Sequence, residues 1–330
     1  MFNLDTFNGF IYNTVSEVVQ QNTNLFNEAS HNTIRMIDGY NVGDTDHETF
    51  FEEIPGMIKR RDPYSDGVIA AKDLVLDEQV TVKVAGGTYP INIPPSKFRW
   101  IKKEPEEGAL LFGEQFAAAM PQDQLNAGIA CAVAGLTQIG APSAEGALDG
   151  VFLDLTGLVG TAKNISRINM NKGAGYFGDA RKRISAWVMH SSAITKLFGD
   201  ALENTNDLFT IGDVNVMDDR FGRIYFVTDS PSLDNGDGTF NTLGLADNAI
   251  VIENNGDIDS NIENANGNEN IKRTIQAEWS FNVGLKGMKW ASTDVAPTDA
   301  ALATPANWAQ AVTDIKNAPG VLIKHTVDAV

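Results

Sequence analysis

The sequence predicts an α+β protein in which one long helix is combined with extended strands. Three observations carry that expectation. Leu74-Val75-Leu76, Val80, Val82 and Val84 alternate with polar residues, the period-two signature of a half-buried strand. An apolar helical pattern runs from Gly108 to Gly140. Finally Ile271, Ile275, Ala277, Trp279, Phe281, Val283 and Leu285 all occupy odd positions, the cleanest alternation in the chain.

Taken in order, residues 1–48 are rich in Asn and Thr and read as an N-terminal arm. Phe10, Ile11, Val15, Val18 and Val19 recur at helical spacing, but the segment offers too little apolar area to fold without a partner surface. Residues 49–105 read as an extended hairpin loop with its flanks. The strand pattern of 64–103 meets a Gly86-Gly87 turn signal, resumes at Ile91 and Ile93, and stops at Pro94-Pro95. An isolated two-stranded ribbon is marginal in water, so this excursion is expected to lie on another surface. Residues 106–183 hold the long helix. Leu110, Leu111, Phe112, Phe116 and Met120 form its first apolar face, Pro121 is expected to bend or break it, and Leu125, Ile129, Ala132, Val133 and Leu136 continue it. Its small residues predict close packing, and a shorter helix is expected near Thr156–Met170. Residues 184–270 carry short strands at Ile184–His190, Arg223–Thr228 and Ala249–Ile252, a helix to about Glu203 capped by Ser191 and Ser192, and a loop from Asn254 to Asn270. Residues 271–290 return as strand within the last region, 271–330, and a final helix is expected over Thr304–Thr313.

Composition narrows the function. Across 330 residues the formal charge is -18 and hydrophobic residues make up 43%, enough for a large core. The acidic balance disfavours sequence-specific nucleic-acid binding, which gains from cations that displace counterions. No apolar run is long enough to span a bilayer, so no membrane partner is expected. The N-terminus lacks the basic and apolar regions of a signal peptide. Cys131 is the single cysteine, so no internal disulfide forms; it reads as a buried thiol in a protein made in a reducing cytoplasm. Charge is segregated. Lys59, Arg60, Arg61, Lys72, Lys83, Lys97, Arg99, Lys102 and Lys103 outnumber five acids between 59 and 103, a local net of +4. Between 200 and 270 fifteen acids face Arg220 and Arg223 alone, a local net of -13. Opposite blocks in one chain suit contacts between copies, and those nine cations are the candidate contact residues. A solvated acidic face beside a basic loop would give the same composition.

Motifs for chemistry fail on context. Gly173-Ala-Gly-Tyr-Phe-Gly178 has the spacing of a dinucleotide loop, but no buried strand precedes it and no apolar helix face follows. Asp234–Thr239 lacks the acids of a calcium loop at its first and twelfth positions and reads as a turn. His31, His47, His190 and His325 show no metal-ligand spacing. No nucleophile elbow, zinc-protease helix or phosphate loop is present, so no enzyme, cofactor or metal is expected.

The order of these elements resembles the Hong Kong 97-type capsid fold of tailed-bacteriophage major capsid proteins. Ile184-Ser-Ala-Trp-Val-Met-His-Ser-Ser192 looks like the strand-to-helix lead into the axial domain. Arg223-Ile-Tyr-Phe-Val-Thr-Asp-Ser-Pro231 looks like a later strand of the same domain. Gln276–Trp290 and Asn317–Ile323 look like the C-terminal part of one subfamily. The resemblance spans most of the chain. It implies an arm (1–48), an extended loop (49–105), a peripheral domain with a spine helix (106–183), an axial domain (184–270) and a segment completing the peripheral domain (271–330). It implies self-assembly into hexamers and pentamers of an icosahedral head around double-stranded DNA, with DNA sliding past an acidic wall. The implied partners are the protein itself, a separate scaffolding protein, a portal and a decoration protein; the implied location is the virion, after synthesis in the host cytoplasm. An encapsulin-like nanocompartment shell is the alternative, and a soluble acidic enzyme with no visible site is a third reading.

Overall fold

The computed structural model describes residue 23 and residues 26–39, 43–51, 57–74, 76–92, 96–97, 105–144, 147–198, 206–211, 214–218, 224–267 and 269–327. The strands, in chain order, are β1 (Ile34–Asp38), β2 (Thr45–Phe51), β3 (Leu76–Gly87), β4 (Ile91–Asn92), β5 (Phe152–Asp154), β6 (Ile184–Met189), β7 (Asn206–Ile211) and β8 (Val214–Asp218). They continue with β9 (Ile224–Val227), β10 (Thr239–Ala246), β11 (Ile250–Asn254), β12 (Asp259–Ala265), β13 (Lys272–Leu285), β14 (Met288–Trp290), β15 (Trp308–Gln310) and β16 (Gly320–Thr326). The helices described from end to end are α1 (Pro105–Ile139), α2 (Arg167–Ala174), α3 (Ser191–Phe198) and α4 (Asp299–Leu302). The helical pattern expected at Phe10–Val19 lies outside the described residues.

Two sheets share the core. The first runs β1-β11-β13-β3-β2, with β12 and β4 flanking the N-terminal half of β13. The second runs β5-β16-β10-β6-β9-β8-β7. Both draw on distant parts of the chain, so the division expected at residues 270/271 does not coincide with them: β11 and β12 pair with β13, whereas β16 lies between β5 and β10.

The alternation read from sequence explains β13. Ile275, Ala277, Phe281, Val283 and Leu285 are all buried, and Trp279 stacks edge-on against Phe116 of α1 with ring centroids 5.1 Å apart. The opposite face carries Asn282 and Gly284; Asn282 is buried but donates to Glu253 and Asn255, which removes the cost of an orphaned amide. Across from β13, α1 presents small residues. A Cβ on Gly128 would stand 3.0 Å from Ile250 Cγ2, and one on Gly135 would stand 2.9 Å from Leu285 Cδ1. The sheet therefore packs closely here, and a Cβ at either position would require Ile250 or Leu285 to shift. Ala132, on the same helix, is fully buried. Replacing it with Phe is expected to overpack this contact and cost about 1–3 kcal/mol, read from thermal or urea unfolding; an unchanged midpoint would show the helix to be looser than its burial implies.

Several expectations are corrected. First, Pro121 does not break α1, which is helical throughout 105–139. Proline removes the amide that would bond the Ala117 carbonyl, but packing around this buried stretch holds the turn. Second, β3 does not fold back on β4 at Gly86-Gly87. It pairs with the preceding β2, from Thr45↔Val82 to Phe51↔Leu76, and with β13 on its other side. β2 reads Thr-Asp-His-Glu-Thr-Phe-Phe, with no apolar alternation to announce it. Third, Asn254–Asn270 contains β12, an exposed polar strand held by backbone pairing with β13. Fourth, the N-terminus of α3 is satisfied by His190 and Asp229 instead of by Ser191 and Ser192, whose own backbone amides donate to Asp229 Oδ1 and His190 Nδ1. Fifth, Thr304–Thr313 is a short 3-10 turn followed by β15. Trp308 is pinned there by its indole donating to the Leu302 carbonyl (3.0 Å) and by edge-on packing with Trp290. The short helix expected near Thr156–Met170 forms later, as a 3-10 turn over Gly160–Lys163 and then α2.

Candidate intersubunit surface

The chain leaves the first sheet at Phe51 and re-enters it at Leu76, paired directly opposite. Between them, residues 57–74 form neither helix nor strand, and every one is exposed. Local order comes from Asp62, which accepts from the Tyr64 amide (2.9 Å), and from Ser65, which accepts from Gly67 (3.3 Å). Ile58 is 91% exposed, Tyr64 95% and Val68 101%. Burying a side chain of this size is worth about 1.5–3 kcal/mol, and here none of that is realised within the subunit.

The structure distributes the nine predicted contact cations unevenly. Lys59, Arg60 and Arg61 follow Met57-Ile58 on the outgoing limb of this excursion, and Lys72 lies on its return. Lys83 is elsewhere, half-buried on β3 opposite Asn282. Lys97 is exposed ahead of α1. Arg99, Lys102 and Lys103 lie outside the described residues. The acidic block is also divided: Asp229, Asp234 and Asp237 belong to the second sheet and its turns, Asp259 and Glu263 to β12 of the first.

Sequence reading missed a second group of cations. Arg181, Lys182 and Arg183 close a 3-10 segment beside Lys316 and Lys286. Arg183 Nη1 donates to the Lys316 carbonyl (3.1 Å) and to Asn317 Oδ1 (3.0 Å). Lys316 pairs with Asp179 at 2.8 Å, a contact that raises its pKa and lowers that of Asp179. Burial, then the Arg183 charge, pulls the Lys286 pKa down. The Arg-Lys-Arg run was visible in sequence, but only as the flank of a failed dinucleotide motif.

Among the described residues, the groups weighed in the sequence are placed as follows. Gly173–Gly178 closes α2 and opens a 3-10 segment; Gly178 has φ of 55° and faces Leu148. Cys131 is fully buried, and desolvation drives its pKa up, which makes it a poor nucleophile. His190 donates from Nε2 to Asp229 (3.2 Å) and accepts at Nδ1 from the Ser192 amide. Its ring packs on Phe240, whose far side meets His325. Among the described residues no three metal-ligating side chains gather, and no helix is long and apolar enough to cross a membrane.

Comparison with known proteins follows from this architecture. The family model described as major capsid protein 13-like (Gp13-like) matches residues 3–322. No curated protein sequence matches. Among solved structures, the capsid asymmetric unit of cyanophage Pam1 aligns with a TM-score of 0.52 at 12% identity, over 90% of this chain and 89% of that one. The head structure of Helicobacter pylori bacteriophage KHP40 aligns with a TM-score of 0.50 at 9% identity, over 90% and 88%. At these identities the likeness is one of fold, and that fold is the expected α+β, Hong Kong 97-type capsid fold.

Proposed function

The chain belongs to the Gp13-like family of major capsid proteins, and from that premise we propose that its copies close into the hexamers and pentamers of an icosahedral phage head around double-stranded DNA, held in part by the excursion between β2 and β3. As a phage coat protein it is a structural component of the virion that assembles with itself, not an enzyme. The encapsulin-like alternative is not favoured by that family. The proposal extends to a separate scaffolding protein, a portal, a decoration protein, and synthesis in the host bacterial cytoplasm. In this reading the arm is the part of residues 1–48 that precedes β1, which is itself a strand of the first sheet, and the tip between β2 and β3, within 49–105, is the extended loop. The first sheet with α1 is the peripheral domain, and the second sheet is the axial domain.

The observation that carries the role of the excursion is the complete exposure of residues 57–74 despite Met57, Ile58, Tyr64, Val68 and Ile69. An out-and-back path over residues 52–75 reaches at most about 40 Å, enough to cross onto a neighbour. Lys59, Arg60 and Arg61 would there meet acidic surface, each exposed pair contributing at most about 1 kcal/mol but several acting together. Reversing all three to Glu is expected to leave the thermal midpoint of the isolated subunit unchanged while abolishing particles in negative-stain microscopy. Particles of normal yield and size from that variant would refute the electrostatic role.

A further inference from the structure

We propose that Asn266 is a site of spontaneous deamidation, a covalent change that turns the neutral amide between β12 and β13 into a carboxylate while the subunit stays folded. Asparagine followed by glycine is the pair most prone to this reaction, because glycine has no side chain to obstruct attack by its own backbone nitrogen. The chain contains four such pairs: Asn8-Gly9, Asn235-Gly236, Asn255-Gly256 and Asn266-Gly267. The first lies outside the described residues, and the fold separates the other three.

Two of them are held at both reacting groups. Asn235 is exposed, yet its Nδ2 donates to the Thr239 hydroxyl (3.0 Å) and its Oδ1 accepts from Asn241 Nδ2 (3.1 Å). The Gly236 amide, the nitrogen that would attack, donates to Asp234 Oδ1 at 2.8 Å. Asn255 Nδ2 donates to Ser280 Oγ (2.9 Å), and the Gly256 amide donates to Asn254 Oδ1 (3.3 Å). Attack requires the asparagine side chain to swing onto that nitrogen, so these bonds must break first.

Asn266-Gly267 carries no such restraint. Both residues are exposed and lie beyond Ala265↔Lys272, the last pair of the β12–β13 ladder. No described residue hydrogen-bonds the Asn266 side chain or the Gly267 amide. Exposure alone does not set the pair apart, since Asn235 is exposed too; the freedom of both reacting groups does.

The reaction balances with water alone. The Gly267 nitrogen gives up its proton and attacks Asn266 Cγ, the Cγ–Nδ2 bond breaks, and ammonia leaves with that proton. Water then opens the five-membered imide. Cleavage of the new N–Cγ bond gives aspartate, and cleavage of the original peptide bond gives its β-linked isomer. Nothing is oxidised or reduced. The extra backbone methylene of the isomer falls in a turn outside the ladder, so β12 and β13 stay paired. Each conversion adds one negative charge to a chain of formal charge -18, and copies of different age come to differ in charge.

The test is peptide mapping by mass spectrometry of the full chain, incubated folded in mildly alkaline buffer and, in parallel, unfolded in urea. In the folded chain Asn266 is expected to convert at least about tenfold faster than Asn235 or Asn255, a factor equivalent to the loss of one or two ordinary hydrogen bonds. In urea the three should convert at similar rates, because the restraints on Asn235 and Asn255 are gone. Aged folded protein should shift to later elution on an anion exchanger and melt as before, and Asn266→Gln should remove that share of the shift. Folded-state conversion at Asn235 or Asn255 as fast as at Asn266 would overturn the proposal. So would an Asn266 that stays intact while the unfolded chain reacts, or a rate difference that persists in urea.

Discussion

Replacing Phe281 with alanine is expected to lower the stability of the folded subunit by about 3–5 kcal/mol, the range for truncating a buried aromatic side chain. Phe281 is 1% exposed and sits mid-way along β13, between Val84 of β3 and Asn254 of β11. Its side chain lies on the same face as Trp279 and Val283, the face that meets α1. Truncation removes the apolar transfer energy and leaves a cavity that a strand paired on both sides cannot collapse. Urea unfolding of the unassembled subunit measures it, with Ile271→Ala as control. Ile271 is 51% exposed and unpaired in the ladder, so its loss should change stability by about 0.5 kcal/mol or less. A loss at Phe281 no larger than at Ile271 would mean that the helix and sheet do not form a tight layer.

Acid is expected to act through His325. This ring is fully buried on β16, donates from Nδ1 to the Thr326 carbonyl (3.3 Å) and accepts at Nε2 from the Thr242 hydroxyl (2.9 Å). Desolvation holds its folded pKa down at about 4, against an ordinary 6.5, with the Thr326 carbonyl opposing weakly. The folded state therefore keeps the ring neutral while the unfolded chain takes up a proton first. The contribution is complete above pH 6.5 and is lost as pH falls from 6.5 to 4, a depression worth about 3 kcal/mol at 1.36 kcal/mol per pKa unit. Unfolding free energy measured between pH 7 and 4 should fall with this slope in the natural chain. His325→Gln should be flatter by that amount, whatever its stability at pH 7. Parallel curves would show that carboxylates, not this histidine, set the acid limit.

Much of the core was legible in the sequence because burial and periodicity coincide there. β6, β9, β11 and β13 fall where apolar residues concentrate or alternate, and α1 follows its apolar positions on both sides of Pro121. The misses share a physical cause. β2 and β12 expose both faces and are held by backbone hydrogen bonds to a neighbour, so their side chains carry no period. β15 exists because Trp308 docks against Trp290, a contact eighteen residues away in sequence that no local pattern contains. Of the candidate surface, the cations at Lys59–Arg61 were visible as composition. Their separation from Lys83, and the convergence of Arg183 with Lys286 and Lys316, depend on which strands meet.

The position of β16 in its sheet has a consequence for synthesis. It lies between β5 and β10, so residues 152–154 and 239–246 have no common partner until Gly320–Thr326 has left the ribosome. Translation proceeds at about 5–20 residues per second, which separates β10 from β16 by several seconds. During that interval Leu243 and Leu245 lack the strand that covers them, and a nascent chain cannot present a finished second sheet to a neighbour. Assembly is thereby restricted to chains translated as far as β16, and truncated translation products lack the element that would let them enter a growing shell.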